Sequence, residues 1–295
     1  MLRRSLLVGI ACTIGLSGAA SAQDTDDVST LYSVDFETGE LTSISEIGGD
    51  ESVVGFALVP TADSGSASGT PEATPVTEES FEVMAVALTD DNEMFVFDIN
   101  DPAAADAPIE ITGLEDDEEL VGIDFRPANG ELWSISDQSR LYSIDLDSGE
   151  ATSIGGEFDP ILEDDDLGFD FNPTVDRIRV DVSTGQNLRL NPETGLIGSN
   201  PDTDMPTIDG NLAFAEDDDN AGTEPRVVAA GYTNSVADAE ETMLFVLDAE
   251  TQSLAIQNPP NDGVLNTVGP LGVEISDQAS FDIAPGGDGY VVNPS

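Results

Sequence analysis

Three aspartates hold the same place in a recurring segment of this chain. They are Asp124 in VGIDFRP (121–127), Asp170 in LGFDFNP (167–173) and Asp282 in ASFDIAP (279–285); VGFALVP (54–60) repeats the form with Ala57 in their stead. Equivalent side chains of a closed repeat converge on its axis. Three converging carboxylates could hold a hard cation such as calcium through oxygen ligands, which makes Asp124, Asp170 and Asp282 candidate metal ligands. The competing reading is structural. A buried carboxylate almost always has hydrogen-bond partners, and a neighbouring repeat can supply them.

A second constellation is basic. Arg177, Arg179 and Arg189 fall close together, with Asn187 and Asn191 beside them. In RIRV the strand alternation places Arg177 and Arg179 on one face. Guanidinium groups read planar anions through paired N–H donors, so these five residues are a candidate site for a carboxylate or sulfate group. The internal alternative is that they neutralise acidic loops such as EDDD (163–166).

The absences narrow the chemistry. The chain has no His and no Lys, and its single Cys, Cys12, lies near the N-terminus. No Ser-His-Asp triad, Cys-His pair, His or Cys zinc site, Schiff-base lysine or phosphate-loop lysine can be assembled. Carboxylate, hydroxyl, Tyr and Arg remain. Paired carboxylates can hydrolyse glycosides, but among 60 acidic residues a pair carries little information. The acidic stretches EDDDLG (163–168), DTDMPTIDG (202–210) and EDDDN (216–220) lack EF-hand spacing and read as turns and solvated loops. QNPPNDGVLNT (257–267) is a long polar loop, of the kind that carries function on rigid scaffolds, or a plain connection. Trp133, in ELWSIS, is expected to pack between repeats.

The elements that position these groups are strands. LYSVDFETGELTSI (31–44), LYSIDLDSGEATSI (141–154) and LFVLDAETQSLAIQ (244–257) share one pattern, with LRLNPETGLIG (188–198) and MFVFDIND (94–101) as weaker copies. Each alternates, reaches an Asp or Asn, turns and resumes, which is a β-hairpin. The Asp-containing segment recurs upstream of the hairpin at constant spacing, and TADSGSASGTPEATPVTEES (61–80) reads as a flexible surface insertion. A unit of about 40–45 residues with four strands is a propeller blade. The expected fold is therefore all-β: a β-propeller of four-stranded blades over 30–295. Blades are expected at 53–112, 120–154, 167–198 and 211–257, with Ala57 and Ala213 standing where the others have Asp. Strands at 31–44 and 279–292 complete one more blade, closing the ring by pairing N- and C-terminal strands. That is five blades, or six if 264–275 pairs separately.

The segments LVGIDFRPANGELWSISDQSRLYSIDLDSGEATSI, GFDFNPTVDRIRVDVSTGQNLRLNPETG and QNPPNDGVLNTVGPLG closely resemble the domain of unknown function 4394 family, over about residue 30 to the end. The resemblance implies an exported protein with propeller-type repeats. It implies no activity.

Arg3 and Arg4 precede SLLVGIACTIGLSG, and Ala20-Ser21-Ala22 offers a cleavage site, so residues 1–22 read as a signal peptide, twin-arginine or Sec. The expected location is secreted, cell-surface or periplasmic. Without the leader, six Arg face 60 acids, a formal charge of −54. Such a charge argues against nucleic acid and anionic membrane surfaces as partners, and keeps the chain soluble and monomeric. Spread along the whole chain, it reads as adaptation to high salt, where self-repulsion is screened. The sequence supports an exported acidic binding or interaction module, its ligand an extracellular glycan or protein. The alternative is a carboxylate-based, calcium-assisted glycan hydrolase. No motif demands a cofactor.

Overall fold

The computed structural model describes residues 28–48, 52–60, 83–198 and 207–294. The leader, with Cys12, Arg3 and Arg4, and the insertion at 61–80 lie outside them. Among the described residues every helical element is a three-residue 3₁₀ turn; the rest of the regular structure is strand. The chain begins with β1 (Ser29–Val34) and β2 (Leu41–Glu46). Four meanders follow, each pairing antiparallel from the inside outward. The first is β3 (Val53–Leu58), β4 (Met84–Thr89), β5 (Glu93–Asp98) and β6 (Ile109–Glu110). The second is β7 (Leu120–Phe125), β8 (Leu132–Ser136), β9 (Leu141–Ile144) and β10 (Ala151–Ile154). The third is β11 (Leu167–Asn172), β12 (Arg177–Val182), β13 (Asn187–Asn191) and β14 (Leu196–Ile197).

The last meander departs from the expected boundaries. A short β15 (Ala213–Phe214) comes first, but the inner strand is β16 (Val227–Tyr232), followed by β17 (Leu244–Asp248), β18 (Ser253–Gln257) and β19 (Val264–Pro270). β15 lies parallel along the outside of β19. Residues 264–270 are thus the outer strand of blade five, which makes the count five and not six. The position equivalent to the aspartates in this blade is Gly231, in an inner strand that the sequence reading misplaced at Ala213. The chain ends with β20 (Ser280–Ile283) and β21 (Gly289–Pro294), and β21 pairs with β1 from Ser29↔Pro294 to Val34↔Gly289. Blade one is therefore β20-β21-β1-β2, built from both termini, and the five inner strands β20, β3, β7, β11 and β16 pack in a closed cycle.

The repeated hairpin has a common turn. Asp35 Oδ1 accepts the N–H groups of Glu37 and Thr38, Asp145 Oδ1 those of Asp147 and Ser148, and Asn191 Oδ1 that of Glu193. Four residues on, the chain needs a left-handed residue, and Gly39, Gly149 and Gly195 provide it with φ of 84°, 73° and 69°. Blade five forms the same turn on Asp248, with Gln252 at φ 52°. These hairpins set the register that carries alternate residues to opposite blade faces.

Four of the five clefts between blades are filled by apolar clusters drawn from both sides. Trp133 follows the expectation. It is buried between blades three and four, edge-on to Phe171 at 5.7 Å, with the Arg126 guanidinium over its ring. Near the axis the inner strands approach closely. A Cβ on Gly168 would lie 2.5 Å from the Ala230 nitrogen and 2.6 Å from its Cβ, so only glycine fits there.

Candidate functional site

The three aspartates do converge. Each is buried, and one oxygen from each lies within 4.8 Å of the others. Each also ties its inner strand to the next. The Leu58 N–H donates to Asp282 Oδ2 at 2.7 Å, the Phe171 N–H to Asp124 Oδ2 at 2.8 Å, and the Tyr232 N–H to Asp170 Oδ1 at 3.2 Å. Asp124 Oδ1 and Asp282 Oδ1 accept the N–H of the following residue as well. The structural role proposed for buried carboxylates is thus visible as an inter-blade clasp. Burial, and then the charge of Asp282, push Asp124 well above the ordinary carboxyl range; Asp170 moves the same way through burial and the charges of Asp124 and Asp282, and burial pushes Asp282 up to about 6. Calcium takes roughly six to eight oxygens; three carboxylates already engaged by backbone N–H groups are a partial set.

The fifth cleft, between blades four and five, is built differently. One face of blade four is apolar and fills the cleft toward blade three: Phe169, Phe171, Ile178, Val180, Leu188 and Leu190. The other face carries the alternate residues. The register Asn172↔Arg177, Asp170↔Arg179↔Arg189 and Gly168↔Asp181↔Asn187 aligns them, since directly paired residues share a face. The opposing face of blade five offers Ala230, Tyr232, Leu244 and Val246.

Arg179 is the hub of this cleft. It is 2% exposed. Its Nη1 donates to Asp209 Oδ2 at 2.8 Å and to Asn187 Oδ1, and its Nη2 to Asn261 Oδ1 at 2.8 Å. Asp209 uses its second oxygen to accept from Arg189 at 3.0 Å. Asn187 anchors the neighbouring loops through the carbonyls of Gly210 and Pro260. Burial opposes the Arg179 charge, but Tyr232, Asp181 and Asp209 around it raise its pKa further. Burial pushes Asp181 up to about 6 despite Arg179, and it raises Tyr232 too, whose hydroxyl meets Arg179 and Asn172. Arg179 Nε is buried without a hydrogen-bond partner.

Beside this hub opens a cavity of about 210 Å³, lined by Arg177, Arg179, Arg189, Asn172, Tyr232 and Asn261 among others, and by no carboxylate among the described residues. Among the described residues, Arg177 is the one Arg without an ion pair. Its Nη1 donates only to the backbone carbonyls of Val175 and Asp176.

Of the five binding candidates from the sequence, Arg177, Arg179 and Arg189 line this cavity, Asn187 braces it, and Asn191 belongs to the hairpin turn. The Arg do not neutralise EDDD (163–166); Arg179 and Arg189 share Asp209. The polar loop 257–267 contributes Pro260 and Asn261, with Gln257 donating to Asp181 at 3.4 Å behind them. Sequence reasoning missed Asn172, Tyr232 and Asp209. Asn172 was legible, as the next alternate residue after Asp170; Tyr232 was hidden by the misplaced inner strand.

At the opposite ends of the inner strands lies a smaller cavity of about 90 Å³, with Asp90, Glu119, Asp165, Asp166 and Asp277 around it. Burial, then the charges of Asp277, Asp164 and Asp165, push Asp166 up to about 6.

No curated protein matches this sequence. Residues 93–294 match the family described as "Domain of unknown function (DUF4394)", which takes in the outer two strands of blade two, all of blades three to five, and the C-terminal half of blade one. The match spans more than half of the chain, as the LVGIDFRP and GFDFNP segments led one to expect, and the chain belongs to the DUF4394 family.

Proposed function

We propose that the protein is an exported binding module whose ligand presents an anionic group to the cavity between blades four and five. One observation carries the reading: in a chain with 60 acids and eight Arg, three Arg line one cavity that no carboxylate among the described residues lines. Arg177, without an ion pair among the described residues, has a guanidinium available for an external anion, and Arg179, fixed by Asp209, Asn187 and Asn261, supplies positive potential that needs no rearrangement. The glycan-hydrolase alternative would use the acidic cavity at the other end, where Asp166 has the raised pKa of a general acid. At about 90 Å³ that cavity is small for a saccharide, which favours the binding reading.

The test is calorimetric titration of the protein with propionate and with sulfate in about 0.5 M KCl, where the Debye length is about 4 Å and the overall negative field is screened. Saturable binding that disappears in Arg177→Ala and persists in Arg226→Ala supports the proposal. Arg226 pairs with Asp277 outside the cavity and controls for the lost charge. Binding that survives Arg177→Ala, or no binding of either anion, contradicts it.

A further inference from the structure

We infer that the ligand of this cavity is a hydroxylated organic carboxylate, a sugar acid in chemical class, and not an inorganic oxyanion; the inference rests on the anion-binding reading above. Size is the first argument. About 210 Å³ corresponds to roughly seven waters at about 30 Å³ each, far more than a bare oxyanion fills. The walls are the second. Val175 and Pro260 line the cavity beside the guanidinium groups, so a body with carbon surface is matched and a fully hydrated inorganic ion is not. Val175 is 56% exposed, a large apolar side chain left uncovered at the rim.

The polar groups are the third argument. Among the described residues Arg177 uses only Nη1, which leaves its Nε and Nη2 edge to form the two parallel N–H bonds that a planar carboxylate accepts. The same lining holds neutral groups. Asn261 accepts from Arg179 through Oδ1, and its NH₂ makes no hydrogen bond among the described residues; Asn172 is a second amide in the lining. Neutral donors and acceptors around an apolar wall are what ring hydroxyls need. A charged fork and neutral amides in one cavity therefore fit one molecule carrying both a carboxylate and hydroxyls.

The experiment compares galacturonate and glucuronate with galactose and with sulfate on the intact protein, by calorimetry in about 0.5 M KCl. At least one of the two sugar acids is expected to bind about tenfold or more tightly than sulfate, and neutral galactose not at all. Arg177→Ala should abolish sugar-acid binding. Val175→Ser, at an exposed position where folding is undisturbed, should weaken sugar-acid binding while leaving sulfate unchanged; melting curves verify that both variants fold. Sulfate binding as tightly as the better-bound acid overturns the inference and leaves the anion site standing. Galactose binding as tightly as galacturonate, or no binding by any of the four, overturns both.

Discussion

Mild acid should stabilise this protein, and Asp181 allows the effect to be worked out. Its carboxyl is completely buried, one oxygen accepts from Gln257, and the other has no partner. Burial raises it from 3.8 to about 6 in the folded state. A carboxyl whose folded pKa lies above its unfolded value binds its proton more tightly when folded. Stability therefore rises as pH falls through the folded pKa, and the gain is complete only below the unfolded one. At neutral pH the standing cost is about 3 kcal/mol, and between about pH 7.5 and about pH 5 roughly one unit of that difference, or about 1.4 kcal/mol, is recovered. Asp124, Asp170 and Asp282 push in the same direction. The assay is urea unfolding at those two pH values in constant high KCl, on wild type and on Asp181→Asn, which keeps the acceptor for Gln257. Wild type should be the more stable at the lower pH, and the variant should lack about 1.4 kcal/mol of that gain. A wild-type midpoint that is flat or falls toward pH 5, or a variant with the full wild-type gain, refutes the reasoning.

Other outcomes follow from the same packing. Gly168→Ala places a Cβ against the Ala230 backbone and should lower stability by about 1–3 kcal/mol in urea unfolding; an unchanged midpoint would mean that the inner strands do not pack as described. With 60 acids and eight Arg, the melting temperature should climb through a KCl series with chelator present and gain little from calcium at fixed KCl. A flat KCl series contradicts general screening, and a steep saturable calcium response lost in Asp170→Asn would turn the axial clasp into a cation site. Deleting 61–80 should leave cooperative unfolding intact, since the added loop length costs only about 0.6 kcal/mol per doubling; loss of cooperativity would show the segment to be structural.

Much of this fold was legible because its hairpins share one local chemistry. Asp35, Asp145 and Asn191 each accept turn N–H groups ahead of a left-handed glycine, so sequence similarity marks structural equivalence directly. The closure of blade one was legible for the same reason, as half a repeat stood at each end. The inner strand of blade five was misplaced because a long segment after β15 carries the chain from the rim back to the axis, so spacing no longer tracked position. The axial aspartates could be aligned from sequence. Their partners could not, because the backbone N–H groups of Leu58, Phe171 and Tyr232 belong to other blades and leave no residue signature. The Arg site was half legible. Alternation in LGFDFN, RIRVDV and NLRLN gives one polar face, but the burial of that face against blade five depends on ring closure, and Asp209 and Asn261 arrive from loops far along the chain.

The most direct measurement of the anion-site claim is a crystal structure of the protein soaked in selenate, read in the anomalous difference map. The account predicts a selenium peak in the cavity between blades four and five, within hydrogen-bond reach of Arg177 and Arg189, and none near Asp124, Asp170 and Asp282. A well-ordered, solvent-open cavity with no peak, or selenate bound only at other Arg, would contradict it.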